Sequence, residues 1–395
     1  MNSPRPGIIP LISTYSAVET NRTVSPLLSP VVLPKFRPGN WVEVRTNEEI
    51  LATLDAEACL NGMPFMPEML RYCGQRFRIS KVAHKTCDTI RNSGGRRLER
   101  TVHLEDLRCD GAGHGGCEAG CLLFWNEAWL KPSTADVKVR NLLTEPNGLR
   151  LGSVGSEPAL EAGTRRRNED RNGADRVWQC QTTRLLGATQ PLNWWDLRQY
   201  IADVTTGNHR LGHMVRILTF GLFRAVVGLG VGYRALVGTY DAIQRWRGKP
   251  GFPELPGLIP MQGATPTEIL DLQPGELAQV KSHQEIRETL RLDGMNRGMR
   301  FDAEMVKYCG QTFRVKSRVT RIIDEKTGIM RRMQNPCIVL NDVYCRAECT
   351  AMRLGCPRAV NTYWREIWLR RVAPERGAAL APSPNFNDKP SPVSR

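Results

Sequence analysis

The chain has 395 residues, 41% of them hydrophobic, and a formal net charge of +15. This length accommodates two or three domains, and the hydrophobic fraction is adequate for packed cores, which excludes a chain without folded structure. The positive charge favours an acidic partner, either nucleic acid or an anionic membrane surface, although no nucleic-acid-binding motif accompanies it.

The cysteine content and the N-terminal region together indicate a reducing compartment. The first twenty residues lack an apolar run of the length that a signal peptide needs, and prolines interrupt them. Twelve cysteines without an export signal are more often metal ligands or redox groups than structural disulfides. We therefore expect a cytoplasmic protein that could attach peripherally to a membrane.

The first predicted elements are a disordered tail and a small module. Residues 1–34 are rich in proline and serine and predict a disordered tail. In residues 35–135, here called module 1, "WVEVRT" and "RFRISKV" alternate as short strands do, whereas "NEEILATLD" and "MPEMLRY" have the pattern of short helices. This combination predicts a small SH3-like β-barrel.

The middle of the chain combines two different segments. Residues 136–190 are rich in Gly, Arg, Glu and Asn, lack an apolar period and predict a flexible linker. Residues 191–247 predict a helical insert with an apolar run from Leu211 to Trp246. On one continuous helix, three arginines of this run would fall within about 80° of one another: Arg216, Arg224 and Arg234.

Three interpretations of the apolar run stay open. It could pack on the modules as a helical hairpin, lie on an anionic membrane as an amphipathic helix, or span the membrane, which three arginines argue against. We expect residues 211–246 to contact a partner protein or an anionic membrane surface.

The C-terminal part of the chain repeats module 1. Residues 274–316 align without a gap with residues 38–80 at a constant offset of 236, and 18 of the 43 aligned pairs are identical. The repeat defines module 2, residues 268–374. Residues 375–395, which follow it, are rich in proline and serine and predict a disordered tail. The expected fold is mainly β with short helices, as two repeated SH3-like modules separated by the linker and the helical insert.

Each module supplies a corresponding set of four cysteines, most of them in a glycine-rich loop. They are Cys73, Cys109, Cys117 and Cys121 in module 1, and Cys309, Cys345, Cys349 and Cys356 in module 2. Their spacing differs between the modules while their number does not, as expected where the number of metal ligands matters most. Four thiolates are a standard ligand set for structural zinc, and the sequence therefore predicts two zinc sites. His114 could replace one cysteine in module 1.

Other chemistry stays open for the same residues. An iron–sulfur cluster also takes four thiolates, and Cys117 and Cys121 could form a disulfide under oxidising conditions. Four further cysteines have no cysteine counterpart in the other module and are interpreted as buried free thiols: Cys59, Cys87, Cys180 and Cys337.

Sequence signatures of an enzyme are missing. The chain has no P-loop, no dinucleotide-binding fingerprint, no GxSxG and no HExxH motif. Zinc bound by four thiolates also lacks the open position that catalysis needs. Four glutamates matched between the modules are interpreted as partners of module arginines, although a glutamate beside a metal could act as a general base: Glu68, Glu127, Glu304 and Glu366.

The repeated pattern is Pro-Gly…Gly-x-x-Phe…Glu-Met…Tyr-Cys-Gly, and it closes in Trp-x-Glu-x-Trp-Leu. It resembles a group of bacterial proteins with paired Cys-rich modules, and the resemblance covers both modules and "NWWDLRQYIADVTTGN" of the insert. The resemblance implies no established activity and carries over no catalytic residue. We expect a zinc-stabilised, non-enzymatic scaffold or adaptor. The alternatives are an iron–sulfur redox protein or enzyme and a basic nucleic-acid-binding protein.

Overall fold

The computed structural model describes residues 36–133, 157–167, 176–230 and 232–373. The predicted disordered tails, and residues 136–156 and 168–175 of the predicted linker, lie outside the described residues. The described chain consists of several antiparallel sheets with short helices, so the mainly β prediction is confirmed.

Module 1 is built on a five-stranded antiparallel sheet that forms a half-barrel. Its elements are β1 (Trp41–Val44), α1 (Asn47–Leu51), β2 (Cys59–Leu60), β3 (Met63–Pro64), β4 (Arg76–Val82), β5 (Lys85–Asp88), β6 (Gly94–Arg97), β7 (Thr101–Leu104), β8 (Trp125–Asn126) and β9 (Leu130–Pro132), with 3₁₀ turns at Pro67–Tyr72, Ala112–His114 and Glu127–Trp129. The strand order in the sheet is β8-β7-β4-β1-β9. Helix α1 begins after Thr46, which forms a capping box with Glu49 and so satisfies backbone groups at the start of the helix.

Alternation in the strands and the final aromatic run produce the core of module 1. Val42 and Val44 in β1 are fully buried. Trp125 and Trp129 are also fully buried, and both contact Phe65 edge to face, with ring centroids 6.2 and 5.1 Å apart. The final aromatic run thus supplies large side chains to the core of module 1.

The segment predicted as a flexible linker is ordered where it is described. It contains α2 (Glu157–Gly163), β10 (Arg165–Arg167), β11 (Arg176–Trp178) and β12 (Gln190–Leu192), and β12 adds to β6. Leu160 and Cys180 belong to the hydrophobic core of module 1. The linker prediction is therefore not confirmed, because apolar side chains near the end of the segment pack on module 1 although its average composition is polar.

The insert forms three helices, and the apolar run of residues 211–246 is divided between the last two of them. They are α3 (Arg198–Thr205), α4 (Leu211–Gly228) and α5 (Tyr233–Trp246). Gly230 and Gly232 both have positive φ between α4 and α5, a conformation that favours glycine and ends the helix. By length and composition alone, α4 is the one described helix that could cross a membrane, with a mean hydropathy of 1.3.

The predicted arginine stripe does not exist as one surface. Arg234 lies on a different helix from Arg216 and Arg224. Arg224 donates to Glu254 and to the carbonyl of Cys349, and Arg216 lies 3.5 Å from Glu348. Arg224 thus attaches α4 to neighbouring parts of the protein, whereas Arg216 is largely exposed beside Glu348.

Module 2 contains the corresponding elements and a longer hairpin. They are β13 (Leu277–Val280), α6 (His283–Arg287), β14 (Met295–Asn296), β15 (Met299–Arg300), β16 (Thr312–Ile323), β17 (Met330–Leu340) and β18 (Leu369–Val372), with 3₁₀ turns at Ala303–Tyr308, Ala351–Arg353 and Glu366–Trp368. The sheet order is β17-β16-β13-β18. Leu277 pairs with Arg314, as Trp41 pairs with Arg78 at an offset of 236. A turn that contains residues 326–328 joins β16 to β17.

Each module sends its cysteine-rich loop onto the other module. In the loop of module 1, the Glu118 carboxylate accepts from the backbone N–H groups of Thr320 and Arg321 in β16. In the other direction, the buried ammonium of Lys85 in β5 lies 2.6 Å from Asp203 of α3 and donates to the carbonyl of Leu354 in module 2. The two cysteine-rich loops are therefore located between the modules.

Candidate metal centre

The cysteine-rich loop of module 1 is closed at its base and tightly folded inside. The N–H of Cys109 donates to the carbonyl of Cys121 at 2.8 Å, which brings the first and last cysteines of the loop together. Gly111 has φ +75°, and a Cβ there would collide with the backbone of Cys117. Glycine at this position thus allows the loop to turn back on itself.

A carboxylate, a thiol and an imidazole meet at the start of this loop. The Cys109 Sγ lies 3.2 Å from Glu68 Oε1 and 3.4 Å from His114 Nε2. In the described part of the chain, this is the one group of three His, Cys, Asp or Glu ligand atoms within 4.8 Å of one another. Glu68 comes from the 3₁₀ turn Pro67–Tyr72, which follows the Gly-x-x-Phe motif, and both Glu68 and His114 are buried.

Four cysteines line one cavity beside this group. The cavity has a volume of about 30 Å³. Its cysteines are Cys109, Cys117, Cys121 and Cys180, and its other lining residues include His114, Gln181, Ile323 and Glu325. Ile323 and Glu325 belong to module 2, so the cavity lies where the loop of module 1 meets the long hairpin of module 2.

The structure assembles a different set of cysteines from the one predicted for module 1. Cys73 does not line the cavity, and its sulfur instead contacts Asn47 Oδ1 at 3.8 Å. Cys180, interpreted from the sequence as a free thiol, takes the fourth place. One sequence signal could have indicated that Cys180 belongs to a folded segment. It ends the stretch "VWQC", which is too apolar for a flexible linker.

Three thiols of the cavity have raised pKa values. Burial raises the pKa of Cys121 to about 12, and it also raises the pKa of Cys117. Burial and the neighbouring Glu68 carboxylate raise the pKa of Cys109. Burial lowers the pKa of His114, so the imidazole is neutral at pH 7.

The donor set fits a thiophilic metal ion. Glu68 Oε2 and His114 Nδ1 are buried and accept or donate no hydrogen bond within the described residues. All twelve cysteines are free, so the alternative disulfide between Cys117 and Cys121 is not formed. A bound cation would deprotonate the thiols and so reverse the effect of burial on their pKa values. The four thiols could hold the metal, with His114 and Glu68 placed to orient the Cys109 sulfur.

The predicted cysteines of module 2 are also divided. Cys345, Cys349 and Cys356 lie in the loop that contacts module 1, and the N–H of Cys345 donates to the carbonyl of Val360 at 2.8 Å. Cys309 packs instead against the hydrophobic core of module 2. Cys73 and Cys309 occupy the same place in the two modules, at the end of the 3₁₀ turn that precedes a glycine with positive φ.

The matched glutamates have separate roles. Glu366 accepts from the N–H groups of Leu270 and Leu272 and forms an ion pair with Arg318 at 2.9 Å. It therefore has the structural role expected for it, whereas Glu68 lies against a proposed ligand.

No protein-family model matches the chain, and neither does any curated protein or any solved structure.

Proposed function

We propose that the protein is a non-enzymatic, zinc-stabilised scaffold. The observation that carries the proposal is the cavity lined by Cys109, Cys117, Cys121 and Cys180. Zinc bound by these four thiolates would link the loop of module 1 to the segment that carries Cys180, next to the hairpin of module 2. A closed shell of four protein ligands is typical of structural zinc and leaves no position for a substrate.

Zinc is supported by the size of the cavity and by the groups around Cys109. A volume of about 30 Å³ has room for about one or two water-sized spheres, which suits a single ion. Two polar groups, Glu68 and His114, already contact the Cys109 sulfur at 3.2 and 3.4 Å. Such outer contacts orient metal ligands and are a regular part of zinc sites.

An iron–sulfur protein is the second candidate, and the spacing of the sulfurs favours it. No three of the four cavity cysteines have sulfurs within 4.8 Å of one another. Thiolates on one zinc ion lie closer, since zinc–sulfur bonds of about 2.3 Å give sulfur–sulfur distances of roughly 3.8 Å. A cluster interposes its own irons and sulfides between the thiolates and holds them farther apart.

Elemental analysis and a visible spectrum of the full chain separate these candidates. We expect protein purified anaerobically, without chelator, to contain zinc at a ratio of at least one per chain and to be colourless. Iron with acid-labile sulfide, and visible absorption that dithionite bleaches, would replace zinc by the second candidate. Folded protein without any bound metal would contradict both.

The insert is proposed to attach this scaffold to an anionic membrane surface. Five apolar residues of α4 and its end are exposed, by 42 to 74%, and recur within about 60° on one face of the helix: Leu211, Val215, Leu222, Val226 and Leu229. Trp246, 87% exposed at the end of α5, lies among the exposed basic residues Arg245, Arg247 and Lys249. Apolar side chains with basic and tryptophan neighbours are typical of helices that lie in a membrane interface.

An interfacial position agrees better with the contacts of α4 than a spanning one. Met214 and Ile217 on its other face pack against Tyr200 and Leu354. A spanning helix would have to break these contacts and the arginine contacts to Glu254 and Glu348. We therefore propose a cytoplasmic protein with peripheral membrane attachment, built from two SH3-like modules that serve as its scaffold.

A further inference from the structure

A second exposed apolar surface lies at the start of α3, before the apolar run of the insert. Four large apolar side chains within eight residues are each 52 to 66% exposed, and they are here called the tryptophan face: Trp194, Trp195, Leu197 and Ile201. The rings of Trp194 and Trp195 contact each other edge to face, with centroids 5.8 Å apart. Exposed apolar side chains that are clustered in this way are typical of an interaction surface.

The backbone that carries the two tryptophans is fixed by hydrogen bonds from buried side chains. The Tyr200 hydroxyl donates to the carbonyl of Trp194 at 2.7 Å, and the Gln199 amide donates to the carbonyl of Asn193 at 2.8 Å. Tyr200 and Gln199 are both buried. The exposure of the tryptophans therefore results from a defined local structure and not from fraying of the segment.

The charge around the tryptophan face is positive. Residues 191–230 contain two carboxylates, Asp196 and Asp203, and Asp203 is fully buried. Asp196 is shared by the guanidinium groups of Arg97 and Arg198, at 3.0 and 2.9 Å. Two guanidinium groups and one carboxylate leave a net charge of +1, and the side chain of Arg198 is 55% exposed. A positive apolar surface is complementary to an anionic partner.

The tryptophan face lies next to the apolar face of α4. Helix α3 packs on α4 through Tyr200, Met214 and Ile217. Tryptophan is enriched at membrane interfaces because its ring is apolar while its indole N–H finds polar partners among the lipid headgroups. An anionic bilayer offers apolar, hydrogen-bonding and negatively charged groups at one depth, and all three are needed to cover this surface.

We infer that the tryptophan face is a second membrane-binding element, which inserts Trp194 and Trp195 into the interface of an anionic bilayer. The inference rests on the proposed membrane attachment of the insert. It extends the membrane-binding surface to residues that lie outside the apolar run 211–246.

Quenching by brominated lipid tests the insertion of the two tryptophans. The exposed tryptophans of the described chain are Trp194, Trp195 and Trp246, so Trp246→Phe leaves the first two as reporters. We expect anionic vesicles with brominated acyl chains to quench part of the fluorescence of this variant, and much less once Trp194→Phe/Trp195→Phe is added. Equal quenching of both proteins while they float with the vesicles would overturn the inference and leave attachment through α4 standing. Failure of the unmutated protein to float would overturn both.

Flotation with anionic vesicles measures what the face contributes to binding. Trp194→Ala/Trp195→Ala removes two exposed rings and should leave the fold intact. We expect its binding to be weaker by at least roughly tenfold. The control Leu258→Ala/Ile269→Ala removes two exposed apolar side chains outside the insert and should bind as the unmutated protein does. Equal binding by the tryptophan variant and this control would contradict the inference.

A second copy of the chain is the other occupant that these variants distinguish. We expect the unmutated protein and Trp194→Ala/Trp195→Ala to sediment as the same species in the absence of lipid. A dimer that becomes a monomer on this substitution would show that the tryptophan face binds another copy, and the bilayer would then be ruled out as its partner.

Discussion

Replacing Cys180 by serine is expected to remove one zinc ion per chain and to lower the free energy of unfolding strongly. Cys180 lines the cavity with Cys109, Cys117 and Cys121, and a serine hydroxyl is a poor zinc ligand. A structural zinc site contributes on the order of 10 kcal/mol to folding, so loss of one ligand should cost several kcal/mol. Zinc content and the urea-unfolding midpoint, measured by tryptophan fluorescence, would show both effects.

The control for this variant is Cys73→Ser. Cys73 occurs in both copies of the repeat, but its sulfur contacts Asn47 and not the cavity. We expect this variant to keep its zinc and to lose about 1 kcal/mol or less, because a serine hydroxyl can take over the contact with the Asn47 side chain. If Cys73→Ser loses zinc while Cys180→Ser keeps it, the ligand set read from the repeat is right and the cavity set is wrong.

Replacing two exposed apolar residues of α4 by glutamate should abolish binding to anionic vesicles. Leu222 is 67% and Val226 42% exposed, so Leu222→Glu/Val226→Glu should leave the fold intact. Transfer of a Leu or Val side chain from water into the apolar part of a membrane contributes about 1.5–3 kcal/mol to binding. The partition coefficient should therefore fall at least roughly tenfold for each residue lost. Flotation with vesicles of anionic and of zwitterionic lipid measures this change.

The matched control changes two apolar residues outside the insert. Ile269 and Leu292 are 76% and 52% exposed, and Ile269→Glu/Leu292→Glu alters the net charge by the same amount. We expect the control to bind anionic vesicles as the unmutated protein does. Equal loss of binding in both variants would mean that only net charge matters, and absence of binding by the unmutated protein would remove the membrane from the proposal.

The elements of the fold were predictable where short-range pattern determines them. The alternation of β1 and the Thr46 capping box are local features, and the repeat at an offset of 236 places their counterparts in module 2. The helical-hairpin interpretation of the apolar run implied a break within it, and the structure has a break between α4 and α5, where Gly230 and Gly232 have positive φ.

The candidate site was predictable only in part, because matched positions and ligand positions differ. Cys109 and Cys345 are matched between the modules and lie beside buried glutamates. Cys73 and Cys309 are matched because both occupy the same turn next to a core. Cys180 is brought to the cavity by tertiary contacts from a segment that differs between the two halves, and no repeat could indicate it.

Zinc K-edge X-ray absorption on the full chain, purified without chelator, tests the central proposal most directly. The account predicts a first shell dominated by about four sulfur atoms at about 2.3 Å from zinc. A first shell of nitrogen and oxygen alone, at about 2.0–2.1 Å, would contradict it, because zinc would then be bound away from the cysteines that line the cavity.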